Sequence, residues 1–247
     1  MSNPRKTSAI SLLVSALLLW ATLALAAPAA TVTHVSGPIA VRKADGSVKS
    51  ISIGSKLDNG DTVVTQKRTY ARIKFIDGSE VVLKPASQFL VESYNYDKEK
   101  PKEDAAVFRL IKGGLRTITG QIGKRGNQDS YQMKCPTSTI GVRGTSYELS
   151  YCQEGSGKDT DDGCGEIPPG LYLAVTDGRV VITNSEGLKT ALEVSVGQYV
   201  YVKNSTTPPA LLPSKPDTTF NPPVSLGFSG GAPGQEGSHG SAGCDMR

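Results

Sequence analysis

The chain has 247 residues, which is enough for one large β domain or two small ones. Its formal net charge is +4, and without Arg5 and Lys6 it carries 25 basic against 23 acidic residues, a net charge of +2. Binding nucleic acid through bulk electrostatics needs a concentrated basic face, so this balance argues against a nucleic-acid partner. With two histidines and four cysteines, the chain also offers little for a metal centre.

The N-terminal segment has the pattern of a secretory signal peptide. Arg5 and Lys6 precede a mostly apolar run from Ala9 to Leu25, and Ala24-Leu25-Ala26 is a small-x-small cleavage site. An uncleaved membrane anchor is the alternative, because about seventeen largely apolar residues could just span a bilayer. We predict that residues 1–26 are removed and that the product is soluble and exported.

Export makes disulfide bonds possible, since oxidising compartments favour them. Cys152 and Cys164 flank a stretch rich in Gly and Asp, residues 153–163, that has no apolar pattern. A disulfide between them would close this loop and stabilise the fold by about 3 kcal/mol, and this local pairing is favoured over the other two. Cys135 and Cys244 either pair with each other or stay free. A zinc site is disfavoured because the chain has no C-x-x-C motif.

Short alternations of apolar and polar residues dominate the rest of the chain and predict half-buried strands. Two of them are Ala71–Phe75 and Leu192–Val196, and two further segments, Arg179–Thr183 and Tyr199–Val202, predict strands because they are rich in β-branched and aromatic residues. Turn signals separate the strands, since Asp-Gly and Asn-Gly readily supply positive φ angles. These signals are Asp45-Gly46, Asn59-Gly60, Asp77-Gly78, Gly113-Gly114 and Asp177-Gly178. The predicted fold is all-β, a twisted solenoid-like or jelly-roll domain with short strands.

Two insertions and a tail interrupt this pattern. Residues 94–105 contain nearly balanced charges around Pro101, which disfavours a helix and predicts a solvated loop. Residues 153–163 form the second insertion. From residue 204 onward the chain is rich in Pro, Gly and Ser, so it cannot bury enough apolar area to offset its ordering entropy. We therefore predict a disordered tail over residues 204–247.

Candidate catalytic patterns are weak. Gly227-Phe228-Ser229-Gly230-Gly231 matches G-x-S-x-G, but it lies in the tail, where the strand and helix of a nucleophile elbow are not expected. Asp159, Asp161 and Asp162 hint at calcium or at acid–base chemistry in a hydrolase, but the spacing breaks the EF-hand pattern. A solvated loop is favoured, and we predict no enzyme activity, no cofactor and no metal.

The ordered set of phrases along the chain resembles the FecR-like domain of bacterial exported proteins. The phrases are Gly37–Arg42, Gly54–Thr65, Ala71–Ser79, Val82–Ser87, Lys112–Arg116 and Pro136–Thr145. The resemblance covers about residues 35–145, and residues 146–203 are expected to form a β extension similar to one often found after that domain.

The resemblance implies a β-rich domain in the envelope of a Gram-negative bacterium, periplasmic or secreted. The best-known members relay iron–siderophore uptake from an outer-membrane receptor to a cytoplasmic sigma factor. This sequence departs from them, because only about eight residues precede the apolar segment and a tail stands where those members carry a second small domain. We therefore expect a stand-alone interaction module with envelope proteins as partners, in sensing or scaffolding. A carbohydrate or peptidoglycan binder, suggested by the solenoid-like fold and by tyrosines expected at the surface, such as Tyr94 and Tyr96, is the alternative.

The matched phrases contain the candidate site residues, most of which are expected to serve the architecture. They are Gly60, Asp61, Asp77, Gly78, Gly141, Arg143, Gly144 and Thr145. Asp61 is expected to cap backbone N–H groups of its own turn. Gly141 and Gly144 suggest close backbone approach or positive φ. Arg143 between them is either a partner contact through its bidentate guanidinium or a donor to carbonyls at a strand corner, and the second interpretation is favoured.

Overall fold

The computed structural model describes residues 27–125, 129–155, 164–218 and 220–226. Within these ranges fifteen strands form one sheet. They are β1 (Ala30–Val35), β2 (Ile39–Arg42), β3 (Val48–Ile51), β4 (Lys56–Leu57), β5 (Thr62–Thr65), β6 (Ala71–Phe75), β7 (Glu80–Leu83), β8 (Gln88–Asn95), β9 (Ala105–Ile118), β10 (Tyr131–Lys134), β11 (Ser138–Cys152), β12 (Gly170–Asn184), β13 (Ala191–Ser195), β14 (Tyr199–Val202) and β15 (Ala210–Leu212). Single 3-10 turns occur at Pro101–Glu103 and Val224–Leu226. The predicted all-β fold is confirmed, and the predicted signal peptide lies outside the described residues.

The sheet forks at β9. One branch runs from β9 through β7, β6 and β1 to β4, and the other runs through β8, β5 and β2 to β3. Apolar side chains of both branches pack into one core. The ring of Phe108 on β9 lies 4.8 Å from that of Phe75 on β6 and 5.4 Å from that of Phe89 on β8. The alternating apolar positions of these short strands therefore supply one shared interior.

Three strands are much longer than the short strands predicted, and each bends at a glycine. Strands β9, β11 and β12 have 14, 15 and 15 residues. Gly113, Gly144 and Gly178 within them have φ values of +80°, +58° and +72°. A positive φ bends a strand and lets its two halves pair with different neighbours. Thus β9 pairs with β8 and the parallel β10 before its bend and with β11 and β7 after it.

These bends correct two turn predictions. Gly113-Gly114 and Asp177-Gly178 were expected to end strands, but they lie inside β9 and β12. The reason is tertiary packing: Gly113 is pressed so closely against Ser87 that a Cβ atom would lie 2.7 Å from its Cα. The positive φ of these glycines therefore marks a bulge within a strand and not the end of a strand.

The C-terminal region also differs from the prediction of a tail that begins at residue 204. Strand β15 pairs with β14 in antiparallel register, from Tyr199 opposite Leu212 to Tyr201 opposite Ala210. Further along, Leu226 is only 1% exposed. The structure thus extends the described fold to Leu226, and residues 227–247 lie outside the described residues.

The charged insertion around Pro101 packs against the rest of the domain more closely than the predicted solvated loop would. Asp104 has no exposed side-chain surface, and its Oδ2 lies 3.1 Å from Nε of Arg125. The Arg125 guanidinium also lies 4.7 Å from the ring centre of Tyr96. Because this arginine is remote in sequence, its ion pair could not be read from the local charge pattern.

Candidate functional site

Asp61 stabilises its own turn from a buried position. It is 1% exposed, its Oδ2 accepts a hydrogen bond of 2.9 Å from the Asp58 N–H, and Lys43 Nζ lies 2.7 Å away. The hydrogen bond to Asp61 raises the pKa of Lys43, against the desolvation that lowers it. Gly60 has a φ of +84°, and its N–H donates to the Val91 carbonyl. This cluster therefore holds a turn together.

Asp77 is the centre of a buried hydrogen-bond network. Its Oδ1 accepts from the Ser79 N–H and the Tyr94 hydroxyl, and its Oδ2 accepts from the Ser79 hydroxyl and the Ile122 N–H, all within 3.2 Å. The Asp77 N–H donates to the Tyr94 hydroxyl oxygen. The neighbouring Gly78 has a φ of +87°. These bonds fasten the turn between β6 and β7 to β8 and to the loop after β9, so the carboxylate serves the architecture.

Thr145 ties the bulge of β11 to two neighbouring segments. Its N–H donates to the Thr119 hydroxyl at 2.7 Å, and its own hydroxyl donates to the Arg179 carbonyl at 2.6 Å. The register between β11 and β12 shifts between Arg143 and Ser146, next to Gly144. These bonds leave the Thr145 side chain directed into the fold.

An open groove lies on the exposed face of β10, β11, β12 and β13. Its floor is a cross-strand row in which Gln132, Gly141, Val181 and Glu193 lie side by side. Gly141 has no side chain, so the row is interrupted and the floor is low there. Two adjoining hollows of about 330 and 390 Å³ share Asp129, Gly141 and Val181. A Cβ atom on Gly141 would meet only the Val181 carbonyl, at 3.9 Å, so this glycine is not strained.

Two arginines border the groove. Arg143 on β11 lies directly opposite Arg179 on β12, and like charges at such positions repel. Arg179 Nη1 lies 3.4 Å from Glu193 Oε1. The structure gives the exposed Arg143 side chain no hydrogen bond or ion pair to any residue it describes. Among the described residues, the favoured expectation of an arginine that bonds carbonyls at a strand corner therefore does not fit the exposed side chain of Arg143.

The predicted disulfide is present and anchors a separate cluster. Cys152 and Cys164 are joined and pack with Tyr172 against Tyr201 and Leu212. The rings of the two tyrosines stack 4.9 Å apart, and their hydroxyls donate to the carbonyls of Pro168 and Pro169. Burial, followed by the neighbouring Tyr201, raises the pKa of Tyr172 to about 12. These tyrosines support the chain at Pro168 and Pro169.

Cys135 and the tyrosines near the charged loop take no open position. Cys135 is free and buried, and burial raises the pKa of its thiol to about 12. Cys244 lies outside the described residues. Tyr94 is buried and Tyr96 stacks against Arg125. The tyrosines that suggested a glycan platform are thus engaged within the fold.

Several weaker candidates can be placed or set aside. In the described ranges, no group of His, Cys, Asp and Glu has the arrangement of a metal site. In the same ranges, no helix is long and apolar enough to traverse a bilayer. The acidic cluster of Asp159, Asp161 and Asp162, and the G-x-S-x-G match, lie outside the described residues. Asp58 and Asp61, the other close carboxylates, share Lys43.

Comparison with known proteins identifies part of the chain. The family model described as FecR protein matches residues 61–163. Residues 61–163 are therefore similar to a FecR domain. The match overlaps the predicted domain from residue 61 to residue 145 and also includes Cys152. No curated protein matches the chain.

Solved structures give a distant similarity. Two crystal structures of a candidate anti-sigma factor from Parabacteroides distasonis have 9% and 10% sequence identity and a TM-score of 0.43. The alignment covers 62% of this chain and 59% of that one. The chain thus spans less than two thirds of the length of the solved structures it matches.

The sequence did not point to Arg179 or Val181 as members of the groove. Both belong to a strand predicted from its β-branched residues, and the period of two along a strand places them on one face. Their proximity to Arg143 and Gly141 depends on the register of β11 against β12. A bulge shifts that register, so the pairing could not be derived from spacing.

Proposed function

We propose that this FecR-like protein is a non-enzymatic, exported module of the cell envelope that senses or scaffolds through contacts with other proteins. The groove on β10–β13 carries the proposal. It combines a low floor at Gly141, an exposed apolar side chain at Val181 and a guanidinium at Arg143 that pairs with none of the described residues. Apolar area with a few fixed polar groups is typical of surfaces that bind a partner.

Two features support export to the periplasm or beyond. The first 26 residues have the pattern of a signal peptide, and the Cys152–Cys164 disulfide suits an oxidising compartment. We expect fractionation of the native bacterium to recover the protein in periplasm or medium, with Ala27 as its N-terminal residue. Recovery in the membrane fraction with residues 1–26 still attached would instead support an anchor.

The proposed contact surface can be tested by cross-linking in the cell. A photoreactive amino acid at Val181, 41% exposed in the groove, is compared with one at Val48, 67% exposed on β3. We expect a protein adduct specific to position 181 that is lost when Arg143→Glu is added. Identical adducts at both positions, or adducts unaffected by Arg143→Glu, would refute the groove as the contact surface.

The absence of catalysis is tested separately. Purified protein is expected to give no turnover on a panel of envelope polysaccharides and no retention on sacculi. Turnover that is lost on replacing Asp159, Asp161 and Asp162 would overturn the non-enzymatic assignment. Retention on sacculi would instead support the glycan-binding alternative.

A further inference from the structure

Lys84 is a charged residue in a buried position. It follows β7 and has no exposed surface. Its Nζ donates a hydrogen bond of 2.7 Å to the Ser150 hydroxyl, and its stem passes Gly114 so closely that a Cβ atom there would lie 2.7 Å from Lys84 Cδ. Because burying a charge is costly, an apolar residue would serve the core better. The retained lysine therefore suggests a recognition role.

The ring of Phe220 covers this lysine. Its centre lies 5.7 Å from Lys84 Nζ and 6.0 Å from the guanidinium carbon of Arg116, distances at which a cation is attracted to an aromatic face. Tyr70 meets the same ring edge-on at 6.2 Å. Tyr70, Lys84 and Arg116 thus form a pocket, called here the aromatic pocket, that fits one aromatic ring.

In the described residues, the segment that carries Phe220 makes only local backbone hydrogen bonds. We call residues 213–218 and 220–226 the strap. Most of its described residues are exposed, Phe220 is half-buried and Leu226 is buried. Its backbone hydrogen bonds within the described range are local, from Thr218 N–H to the Pro216 carbonyl and from Leu226 N–H to the Pro223 carbonyl. A segment without ladder bonds to the sheet opens at low cost.

The geometry points to the aromatic pocket as a docking site for a Phe or Tyr in a proline-flanked segment of a partner protein, which exchanges with Phe220. The strap itself shows what the pocket accepts, since its ring stands between Pro216 and Pro222 in the sequence. A tethered ligand has an effective concentration in the millimolar range, so Phe220 excludes weak competitors. A partner with further contacts displaces it.

The experiment uses the full chain and a fluorescent peptide of residues 213–226. Fluorescence anisotropy compares binding of this peptide to the wild-type protein and to the Phe220→Ala variant, whose pocket is vacant. We expect the variant to bind about tenfold or more tightly than wild type, because the tethered ring no longer competes. A peptide with Phe220→Ala is the matched control and should not bind. The proposal is overturned if the Phe220 peptide and its Phe220→Ala control bind equally, or if the folded Phe220→Ala protein does not bind the Phe220 peptide.

Lysine labelling gives a second, independent readout. Mass spectrometry is expected to show faster amine modification of Lys84 in Phe220→Ala than in wild type, and protection when the Phe peptide is added. Unchanged Lys84 labelling contradicts the pocket. If Phe220→Ala does not fold, as judged by circular dichroism, Phe220→Leu replaces it, with an intermediate gain in peptide binding expected. Light scattering tests a further occupant. A wild-type dimer that Phe220→Ala abolishes would show that the pocket holds a second copy of the chain, and would overturn the proposal of a different partner protein.

Discussion

The chain contains the tripeptide Asp-Gly-Ser twice in hairpins, at residues 45–47 and 77–79, and the two copies have the same local structure. In each, the aspartate Oδ1 accepts from the serine N–H, at 2.8 and 2.9 Å. The glycines have φ values of +84° and +87°. The first copy, between β2 and β3, is exposed at its aspartate, whereas in the second Asp77 is 4% exposed and Ser79 is fully buried.

What differs is the set of remote partners. Asp77 receives further hydrogen bonds from Tyr94 and from Ile122, 17 and 45 residues away in sequence. Gly120 N–H donates to the Ser79 hydroxyl. The same local sequence therefore makes an ordinary hairpin turn in one place and a junction of several strands in the other. Local conformation comes from the tripeptide, while the energetic weight of the aspartate comes from tertiary context.

The largest expected effect separates the two aspartates. We expect Asp77→Ala to lower the free energy of unfolding by about 3–5 kcal/mol, because it leaves several buried donors without an acceptor. Asp45→Ala, the matched control, removes one exposed hydrogen bond and should cost less than about 1 kcal/mol. Urea unfolding measures both. Equal losses in the two variants would show that the junction around Asp77 adds nothing.

The same contrast explains how far sequence reasoning reached. Alternation predicted β6, β-branched and aromatic residues predicted β14, and Asp-Gly predicted both hairpins, because these signals depend on neighbouring residues. The partners of Asp77, the Arg143–Arg179 pair beside the groove and the burial of Lys84 depend on which strands pair and in which register. Gly113 and Gly178 had the composition of turns, yet packing placed them inside long strands.

Gly120 tests the junction from its other side. A Cβ atom there would lie 2.4 Å from the Ser79 nitrogen and 2.5 Å from the Asp77 carbonyl oxygen, both backbone atoms that cannot move aside cheaply. We expect Gly120→Ala to lower the melting temperature by an amount equivalent to about 2–3 kcal/mol. Gly141→Ala, where the nearest atom is 3.9 Å away, is the control and should leave melting nearly unchanged. Normal melting of Gly120→Ala would mean that the loop after β9 is not packed against the turn.

Of the two Asp-Gly-Ser turns, only the one at residues 77–79 should lose stability at alkaline pH, because Tyr94 contacts it. Burial, and then the charge of Asp77, raise the pKa of Tyr94 above its ordinary value of 10.0. Because the folded state holds this proton more tightly, its stability is complete below pH 10 and falls above it, by about 1.4 kcal/mol per pH unit for one proton.

The matched variant is Tyr94→Phe. At neutral pH it should cost about 1–2 kcal/mol through the lost hydrogen bonds to Asp77. Above pH 10 its free energy of unfolding should fall less steeply than that of wild type, by about one proton. Parallel curves from pH 9 to 11 would show that Tyr94 ionises as freely in the folded protein as in the unfolded chain.

The smallest effect is expected where the two copies are alike. Gly46 and Gly78 both have positive φ, and an added Cβ atom would meet no atom within 4 Å at either position. The cost of Gly46→Ala and of Gly78→Ala should therefore be the left-handed strain alone, about 1 kcal/mol in each case. Chemical unfolding of the two variants should give losses that agree within about 0.5 kcal/mol, since neither side chain touches a neighbour. A much larger loss at Gly78 would mean that burial of the aspartate and serine also constrains the glycine between them, so that backbone strain and tertiary context could not be separated even within one tripeptide.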